Sequence, residues 1–391
     1  MSKTIRNAVI HLGHGKTGSS FLQVCFAKNL KLLRENGWLY PESKNLLAAQ
    51  REQPTTGNGS LLLNDKYLKG ISKGNFALSK LKEFFKVYKN HNARSVLFSD
   101  ETLSIKLSSN RKLRENIINS FKDANIQLTF VMYTRDLFEH SSSSWGQSIK
   151  NSGETDRYVK RMLNPSIGNE YIIYQRLLKW IKFSEKEDLN LKIFNYENHK
   201  SNLLEHFFKN VLKIDNYGSF YIPTKDVNKS LGMKEHEVLR LMNLFLLKHF
   251  DGSNQCDIRD LRSVRMLTRV LKRLCKRKTF PTNLSFVNYE RIKRRYKNSI
   301  DQINKSPLIS EKIKISDYAE LKTEDELDLI FPKPQINKIF MCLNDILDNL
   351  QTKDICEMYA IKDLAEKITK DNLKKSRELN DKLLKRIEMK V

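Results

Sequence analysis

Long hydrophobic runs are absent from this sequence of 391 residues. A helix that crosses a bilayer needs about 18 or more consecutive apolar residues, and no stretch of the chain provides them. The apolar stretch within Met1 to Gly13 is also shorter than a secretory signal requires. We therefore expect a cytoplasmic protein without a transmembrane segment, whose contact with a membrane would be peripheral, at the inner face.

Cysteine is scarce, and its spacing excludes two common uses. The five cysteines are an odd number and form no Cys-x-x-Cys pair: Cys25, Cys256, Cys275, Cys342 and Cys356. A disulfide framework or a zinc site needs paired or closely spaced thiols. We therefore expect buried, reduced thiols and no bound metal.

Low-complexity sequence is also missing. With 8 prolines and 14 glycines, the chain has no collagen-like or proline-rich block, and it has no internal repeat. Its 40% hydrophobic and 29% charged residues are typical of a globular protein. The length suits one large α/β domain with an appendage, or two domains.

Acidic residues are fewer than basic ones. The chain has 45 Asp and Glu and 70 Lys and Arg, which gives a net charge of +25. An excess of this size predicts a polyanionic partner, because a strongly positive surface attracts anions over a long range. A nucleotide, a nucleic acid, an acidic glycan and an anionic lipid surface all fit this expectation.

The most informative stretch that is present runs from Ala8 to Gln23. A short apolar run meets two glycines, a lysine, a third glycine and three hydroxyl residues, and then becomes a helical pattern through Leu22 and Phe26. Glycines allow the backbone to approach an anion, the first N–H groups of a helix are unpaired, and Lys16 adds a full positive charge. The pattern predicts a strand, a phosphate-binding loop and a helix.

This loop differs from the Walker A motif, which has a glycine five residues before its Gly-Lys-[Ser/Thr] unit, where this chain has Ile10. It resembles the 5′-phosphosulfate loop of the sulfotransferases, Lys-[Ser/Thr]-Gly-[Ser/Thr]-[Ser/Thr], which stands here as Lys16, Thr17, Gly18, Ser19 and Ser20. The resemblance implies an α/β fold with a doubly wound parallel sheet of the P-loop type, flanked by helices. A chance glycine and serine turn that caps a helix is the alternative.

Helix one should end near Glu35, before Asn36 and Gly37, and a loop-rich stretch then runs to about Gly74. Two interpretations of that stretch stay open: it contacts the substrate, or it is disordered. Further elements are predicted in this order: a helix over 76–89, a strand over 95–99, a helix over 111–123 and a strand over 126–133. Asp100 and Glu101 follow the first of these strands, at the edge of a doubly wound sheet where ligands bind.

Arg135 follows the longest predicted strand, and Ser143 comes eight residues later in a predicted helix. The sulfotransferases place an arginine and a serine with this spacing to hold a 3′-phosphate, so the resemblance implies that role for Arg135 and Ser143. The planar guanidinium suits a phosphate, and eight residues are about two helical turns. Ser141, Ser142 or Ser144 could replace Ser143.

A helix over 171–186, a strand over 191–197 and a helix over 202–212 are predicted next. Lys192 to Glu197 and Val227 to Leu231 look like the corresponding strand and the Asn-x-Ser-Leu stretch of bacterial carbohydrate sulfotransferases. The resemblance thus covers four separated segments in the order of the family.

From about residue 232 onward the chain reads as helical. We expect an α/β domain over 1–330 and a helical C-terminal extension over 331–391, with two helices after Gln335. Three roles stay open for this extension: it packs against the rest of the chain as an arm, it forms an oligomer contact, or its mixed-charge face is simply solvated.

The resemblance implies an enzyme that transfers a sulfuryl group from 3′-phosphoadenosine 5′-phosphosulfate to a carbohydrate hydroxyl, without a metal. The donor would contact Gly15, Lys16, Thr17, Gly18, Ser19, Ser20, Arg135 and Ser143. We expect Lys16 to stabilise the leaving group and Glu101 to act as general base, with Asp100 and His14 as alternatives. His11, His14 and His140 could equally be structural.

Two other functions stay open. Asp100 and Glu101 resemble a Walker B end, which would suit a P-loop kinase or nucleoside triphosphatase. A non-catalytic polyanion-binding protein on a decayed fold is the second, although the joint presence of Lys16, Glu101 and Arg135 argues against decay.

A basic helix is predicted over 259–277, with arginines and lysines on one side and leucines on the other. From Arg259 to Lys297 there are 14 Lys and Arg against 2 Asp and Glu, a net +12. We expect this face to hold an anionic acceptor, such as a cell-surface polysaccharide or a glycolipid intermediate, or to dock on the anionic inner leaflet. A soluble outer face is the plain alternative, and a nucleic acid partner is not expected.

Overall fold

The computed structural model describes residues 6–13, 15–63, 93–164, 169–215, 219–223, 231–249, 262–274, 284–318, 331–350, 354–372 and 377–389. The helix predicted over 76–89, the residue His14 and most of the segment 227–231 lie outside these ranges. Two compact units share the chain. The first contains Met1–Leu137, Asn169–Asn228 and Arg294–Ile315, and the second contains Phe138–Gly168, Lys229–Lys293 and Ser316–Val391.

The first unit is built on a parallel five-stranded sheet with the order β2-β3-β1-β4-β5. Its strands are β1 (Asn7–Leu12), β2 (Trp38–Leu39), β3 (Ser95–Asp100), β4 (Gln127–Thr134) and β5 (Asn190–Asn195). β1, β3 and β4 are mostly buried, as expected for parallel strands that helices cover on both faces. The predicted α/β class with a parallel sheet flanked by helices is confirmed.

Among the described residues, the helices before residue 212 are, in chain order, α1 (Ser19–Lys28), α2 (Leu30–Glu35), α3 (Leu46–Gln50), α4 (Ser60–Leu63), α5 (Leu103–Ser109), α6 (Arg111–Asp123), α7 (Leu137–Ser152), α8 (Tyr158–Leu163), α9 (Asn169–Glu187), α10 (Tyr196–His199) and α11 (Leu203–His206). A π-helical turn, Phe207–Leu212, continues α11. The helix predicted over 202–212 is therefore present with nearly the predicted bounds, and its second half is π-helical.

The first predicted helix is interrupted at Asn29, although it ends where expected, at Glu35. The Asn29 side chain donates to the carbonyl oxygens of Cys25 (2.8 Å) and Tyr221 (2.9 Å) and accepts from the Tyr221 N–H (2.7 Å). Because these bonds tie the helix to a distant segment, periodicity along the chain could not predict the break. Gly37 then adopts φ 77°, a left-handed conformation that suits glycine.

Residues 309 and 310 extend the sheet beyond β5. Ile309 forms an isolated parallel bridge with Ile193, and the Ser310 hydroxyl donates to the Ile193 carbonyl oxygen (3.1 Å). The outer side of β5 is therefore partly covered by a segment more than a hundred residues away in sequence.

The second unit is helical in its described parts. After α7 and α8 come α12 (Met233–His249), α13 (Arg262–Leu274), α14 (Phe286–Asn304, which continues into the first unit), α15 (Lys333–Asp348), α16 (Ile355–Asp371) and α17 (Arg377–Glu388). α12 packs against α13 and α16, α13 packs against α15, and α17 packs against α15 and α16.

After Gln335 the described chain has three helices, so the prediction of two was wrong. The second of the three, α16, ends at Asp371. The Asn372 side chain accepts a hydrogen bond from the backbone N–H of Phe331 (3.1 Å), which fixes the end of α16 through a contact remote in sequence.

Three cysteines are described, and all three are free thiols. Cys25 and Cys342 are buried and Cys356 is partly exposed, which fits the expectation of reduced thiols. Within the described ranges, no helix has the length and apolar character needed to span a bilayer.

Candidate functional site

The loop that follows β1 has an unusual backbone. Gly15, Lys16 and Gly18 adopt φ values of 74°, 56° and 78°, all in the left-handed region. Lysine rarely adopts this conformation, so the surrounding structure must hold Lys16 in it. Left-handed residues before a helix start are typical of concave backbone turns that bind anions. The structure thus shows a strand, a loop with left-handed residues and a helix in the predicted order, and phosphate binding by the loop stays a prediction.

Two glycines of this loop allow close packing. A side chain at Gly13 would overlap the backbone of Glu101, and one at Gly18 would overlap Leu203. At Gly15 a Cβ atom would meet nothing within 4 Å. The loop is thus packed tightly at both ends, whereas its middle has open space beside the backbone.

Hydroxyl groups line the start of α1. Thr17 and Ser19 are 0% and 2% exposed, and within the described part of the chain their hydroxyl oxygens have no hydrogen-bond partner. Burying an unsatisfied hydroxyl is costly, so such groups call for a partner. The Ser20 hydroxyl donates to Glu101 Oε1 over 3.5 Å. A bound phosphate would supply acceptor atoms for hydroxyl groups placed in this way.

Glu101 lies directly after β3 and close to the loop. Burial raises the pKa of its carboxyl group, the positive charge of Lys16 opposes this shift, and the negative charge of Asp100 adds to it. A carboxylate with a raised pKa takes up a proton more readily than an exposed one, which is what a general base needs.

Asp100 has a different role in the described structure. Its Oδ1 atom accepts hydrogen bonds from the backbone N–H of Thr102 (2.7 Å) and from the Thr102 hydroxyl (2.8 Å). These bonds fix the turn that leads from β3 to α5. Glu101 is therefore better suited than Asp100 to proton transfer.

Arg135, directly after β4, contacts the loop itself. Its Nη1 donates to the backbone oxygen of Lys16 (3.1 Å), and its Nε donates to Glu197 Oε1 (2.6 Å). The guanidinium also lies 5.2 Å from the ring centre of Tyr196. Burial alone would raise the pKa of Glu197, but Arg135 and then Lys200 lower it, so this carboxylate stays charged beside the arginine.

Ser143 lies within α7, in the part assigned to the second unit, and is half-buried. Its pairing with Arg135 stays a prediction. The neighbouring serines are engaged locally, because the Ser141 hydroxyl lies 2.6 Å from the Tyr158 hydroxyl and the Ser142 hydroxyl donates to the Glu139 carbonyl oxygen. Of the four consecutive serines at 141–144, Ser143 and Ser144 are the two with partly exposed side chains.

Of the three histidines near the predicted site, His14 lies outside the described residues. His11 is buried in β1, where its Nδ1 lies 2.9 Å from the Ser99 hydroxyl and its ring packs edge-on against Tyr133 and Phe207. Burial lowers the pKa of His11 to about 4, so the ring is neutral at pH 7. His140 is also buried. The surroundings of His11 fit a structural role.

A network beside β5 was not predicted from the sequence. The rings of His199 and His206 stack with their centres 3.6 Å apart, and His206 Nδ1 lies 2.8 Å from the Tyr133 hydroxyl. His199 Nε2 lies 2.6 Å from Glu311 Oε1, and Glu311 Oε2 accepts from the backbone N–H of Asn195. The only sequence signal was the polar end of the strand at 196–197, and nothing indicated that Glu311 would join it.

The pKa values of two groups in this network are shifted, those of His206 and Tyr133. Burial, and then the neighbouring His199, lowers the pKa of His206 to about 4. Burial and the charge of Glu311 raise the pKa of the Tyr133 phenol. Both groups are neutral at pH 7. The Asn195 side chain accepts from the Glu197 N–H (3.0 Å), so the network also fixes the turn that carries the carboxylate beside Arg135.

The chain matches no protein-family model, no curated protein and no solved structure. Within the described residues, no group of three or more His, Cys, Asp or Glu could hold a metal ion.

Proposed function

We propose that this protein is a sulfotransferase that moves a sulfuryl group from 3′-phosphoadenosine 5′-phosphosulfate to a hydroxyl group of a carbohydrate. The observation that carries the proposal is the hydrogen bond from Arg135 to the backbone oxygen of Lys16. These residues belong to two of the segments that resemble the sulfotransferases, and they are 119 positions apart in sequence. Because β1 and β4 are neighbours in the sheet, the two segments meet at one edge, as a shared donor site requires.

The residues of the loop fit the donor. The left-handed backbone at Gly15, Lys16 and Gly18 and the buried, unsatisfied hydroxyls of Thr17 and Ser19 suit an anionic phosphosulfate. When bound, the donor supplies the sulfuryl group and a bisphosphate leaving group. Arg135 and Ser143 would contact its 3′-phosphate, with Arg135 held in place by Glu197.

Proton transfer is assigned to Glu101. In the proposed reaction its carboxylate takes the proton of the acceptor hydroxyl as the new bond between oxygen and sulfur forms. The bond from sulfur to the bridging oxygen breaks, and adenosine 3′,5′-bisphosphate leaves. Lys16 would stabilise the negative charge that develops on that bridging oxygen, which requires a cation positioned in advance.

The acceptor is proposed to be a cell-surface polysaccharide or a glycolipid intermediate, modified in the cytoplasm. A phosphoryl-transfer enzyme is the competing proposal, but Ile10 replaces the Walker A glycine and Asp100 is engaged in a turn with Thr102. Magnesium dependence separates the two, because phosphoryl transfer needs the metal to neutralise the triphosphate.

Thermal unfolding of the full chain tests the donor assignment. We expect adenosine 3′,5′-bisphosphate to raise the Tm, and adenosine 5′-monophosphate to raise it less, because a ligand that binds only the folded state stabilises it by about 2.7 kcal/mol at a concentration of 100 Kd. Lys16→Ala should weaken this response, whereas Lys31→Ala, which changes a highly exposed lysine of α2, should keep it. A response to ATP with magnesium, and none to the bisphosphate, would replace the proposal by the phosphoryl-transfer function. No response to any nucleotide would favour a non-catalytic polyanion-binding protein.

A further inference from the structure

The helix α13 presents positive charge on its exposed side and apolar residues on its buried side. Arg265, Arg269 and Arg273 are exposed and Lys272 is half-buried, and the sequence of the helix contains no acidic residue. The buried side consists of Val264, Leu267, Leu271 and Leu274. We call the exposed Arg265, Arg269 and Arg273 together with the half-buried Lys272 the basic strip.

The basic strip lies on a helix without acidic residues, whereas several other helices pair exposed cations with acidic side chains. On other helices, some exposed cations have an acidic partner four residues away: Arg111 with Glu115, Lys160 with Asp156 and Lys297 with Asp301. Within the described residues, Arg269 and Arg273 form no ion pair. Surfaces that serve only solubility usually mix both signs, so a strip of one sign indicates an anionic partner.

The buried side of α13 decides against a membrane as that partner. A helix that lies in a bilayer interface inserts its apolar face, but the apolar face of α13 is already buried, and the helix packs against α12 and α15. Docking would then depend on charge alone, and stable attachment to a membrane generally needs a second, apolar contribution.

The composition of the strip also argues against nucleic acid. Proteins that bind single strands combine basic residues with aromatic side chains on which bases stack, and α13 contains no Phe, Tyr or Trp. Arginine presents a planar fork that binds carboxylate, sulfate or phosphate through two hydrogen bonds, so it is the missing aromatic side chains that favour a polysaccharide over a single-stranded nucleic acid. Arg265, Arg269 and Arg273 follow one another at intervals of four residues, or about 6 Å along the helix axis. Evenly spaced forks in a line suit a chain with regularly repeated anionic groups.

We propose that the basic strip binds a linear acidic polysaccharide lengthwise, through its carboxylate or sulfate groups. That this polymer is the acceptor rests on the proposed sulfotransferase function, but the binding itself does not.

Binding of polygalacturonate, a polymer with one carboxylate on each sugar, tests this inference on the full chain. Uncharged dextran is the control ligand. The test variant is Arg269→Glu with Arg273→Glu. The control variant is Lys382→Glu with Lys385→Glu, which makes the same change in net charge at exposed positions of α17, in the same unit.

We expect the wild type to bind polygalacturonate with an affinity that falls as salt is added, and to ignore dextran. The α13 variant should lose about tenfold or more in affinity, because two bidentate contacts become repulsive. The α17 variant should stay within about twofold of the wild type, because only distant charges change. A cooperative thermal unfolding transition with a Tm close to that of the wild type would show that the α13 variant is folded.

Equal losses in both variants would mean that net charge alone attracts the polymer, and would overturn the proposal. Tighter binding of polyuridylate or of phosphatidylglycerol vesicles, lost in the α13 variant alone, would replace the polysaccharide by a nucleic acid or a membrane. If the wild type binds polygalacturonate through α13 but no nucleotide stabilises it, the proposal for the basic strip stands and the sulfotransferase proposal fails.

Discussion

Arg135 and the arginines of α13 carry the same charge in opposite settings. Arg135 is mostly buried and donates both to Glu197 and to the backbone of the loop, whereas Arg269 and Arg273 are exposed and have no ion-pair partner among the described residues. A partnered, buried arginine has one orientation and suits a small ligand of fixed shape. An exposed arginine without a partner can follow a flexible polymer. Substitutions in the first region should therefore change turnover and selectivity, and those in the second should change affinity and its dependence on salt.

The largest effect is expected for Glu101→Gln, which keeps the shape of the side chain but removes the proposed base. Turnover should fall by about 10² to 10⁴-fold, while the Tm response to the bisphosphate stays. The wild-type rate should also fall as the pH drops through the raised pKa of Glu101, because the protonated group cannot accept a proton.

That acidic limb should disappear in the variant. Release of adenosine 3′,5′-bisphosphate in the presence of a polysaccharide acceptor measures both effects. Glu115→Gln, at an exposed glutamate of α6, is the matched control. A normal rate in Glu101→Gln would exclude Glu101 as the base and make His14 the next residue to test.

Lys16→Ala should lower turnover by about 10² to 10³-fold, because one contact aimed at developing charge contributes about 2.7 to 4 kcal/mol. Affinity for the bisphosphate product should fall much less, since the charge on the bridging oxygen grows mainly in the transition state. Single-turnover kinetics and product titration separate the two quantities. An unchanged turnover number would remove the loop from the mechanism.

A fall in pH should affect the region around Arg135 by another mechanism, the protonation of His11. His11 lies in the core below the loop, and its pKa of about 4 is below the ordinary value of 6.5, so the unfolded chain binds a proton more readily between these values. The lowered pKa of His11 adds its full amount to the free energy of unfolding above pH 6.5. About 2 to 3 kcal/mol of this free energy is lost as the pH falls towards 4.

Urea unfolding at pH 7.5 and pH 4.5 measures this loss. The difference between the two pH values should shrink in His11→Gln, whatever the absolute stability of that variant. An unchanged difference would show that His11 does not control the response to acid.

The smallest of these effects concerns selectivity. Wild type should prefer adenosine 3′,5′-bisphosphate to the nucleotide that lacks the 3′-phosphate, and Arg135→Ala should reduce this preference by about 10 to 100-fold, as expected for lost hydrogen bonds to a charged group. Arg135→Lys should retain part of it, because the charge stays and the planar fork is lost. Isothermal titration with both nucleotides gives the ratio. Equal affinities in the wild type would contradict the 3′-phosphate assignment.

Much of the first unit could be predicted because its strands are buried and its helices are regular. The helix over 111–123 has the predicted bounds, and the strands over 95–100 and 127–134 differ from the predicted ones by a residue at one or both ends. β2 was missed because Trp38 and Leu39 are too few to show an alternating pattern.

The parts that could not be predicted depend on contacts remote in sequence. The break at Asn29 depends on Tyr221, the end of α16 on Phe331, and the network beside β5 on Glu311. Hydrophobic periodicity describes neighbours along one element and carries no information about such partners. The loop was predictable because its glycines, lysine and hydroxyls are adjacent, whereas the partners of Arg135 became visible only in the structure.

The bridge between Ile193 and Ile309 has a consequence for how the protein behaves at high concentration. β5 is the last strand on its side of the sheet, and an uncovered edge strand can pair with the same strand of another molecule and start aggregation. Ile309 and Ser310 occupy part of that edge, while β2, at the opposite edge, has only two residues and offers little to pair with. Loosening of the segment around 309 would therefore expose the edge of β5 to pairing with a second copy of the chain.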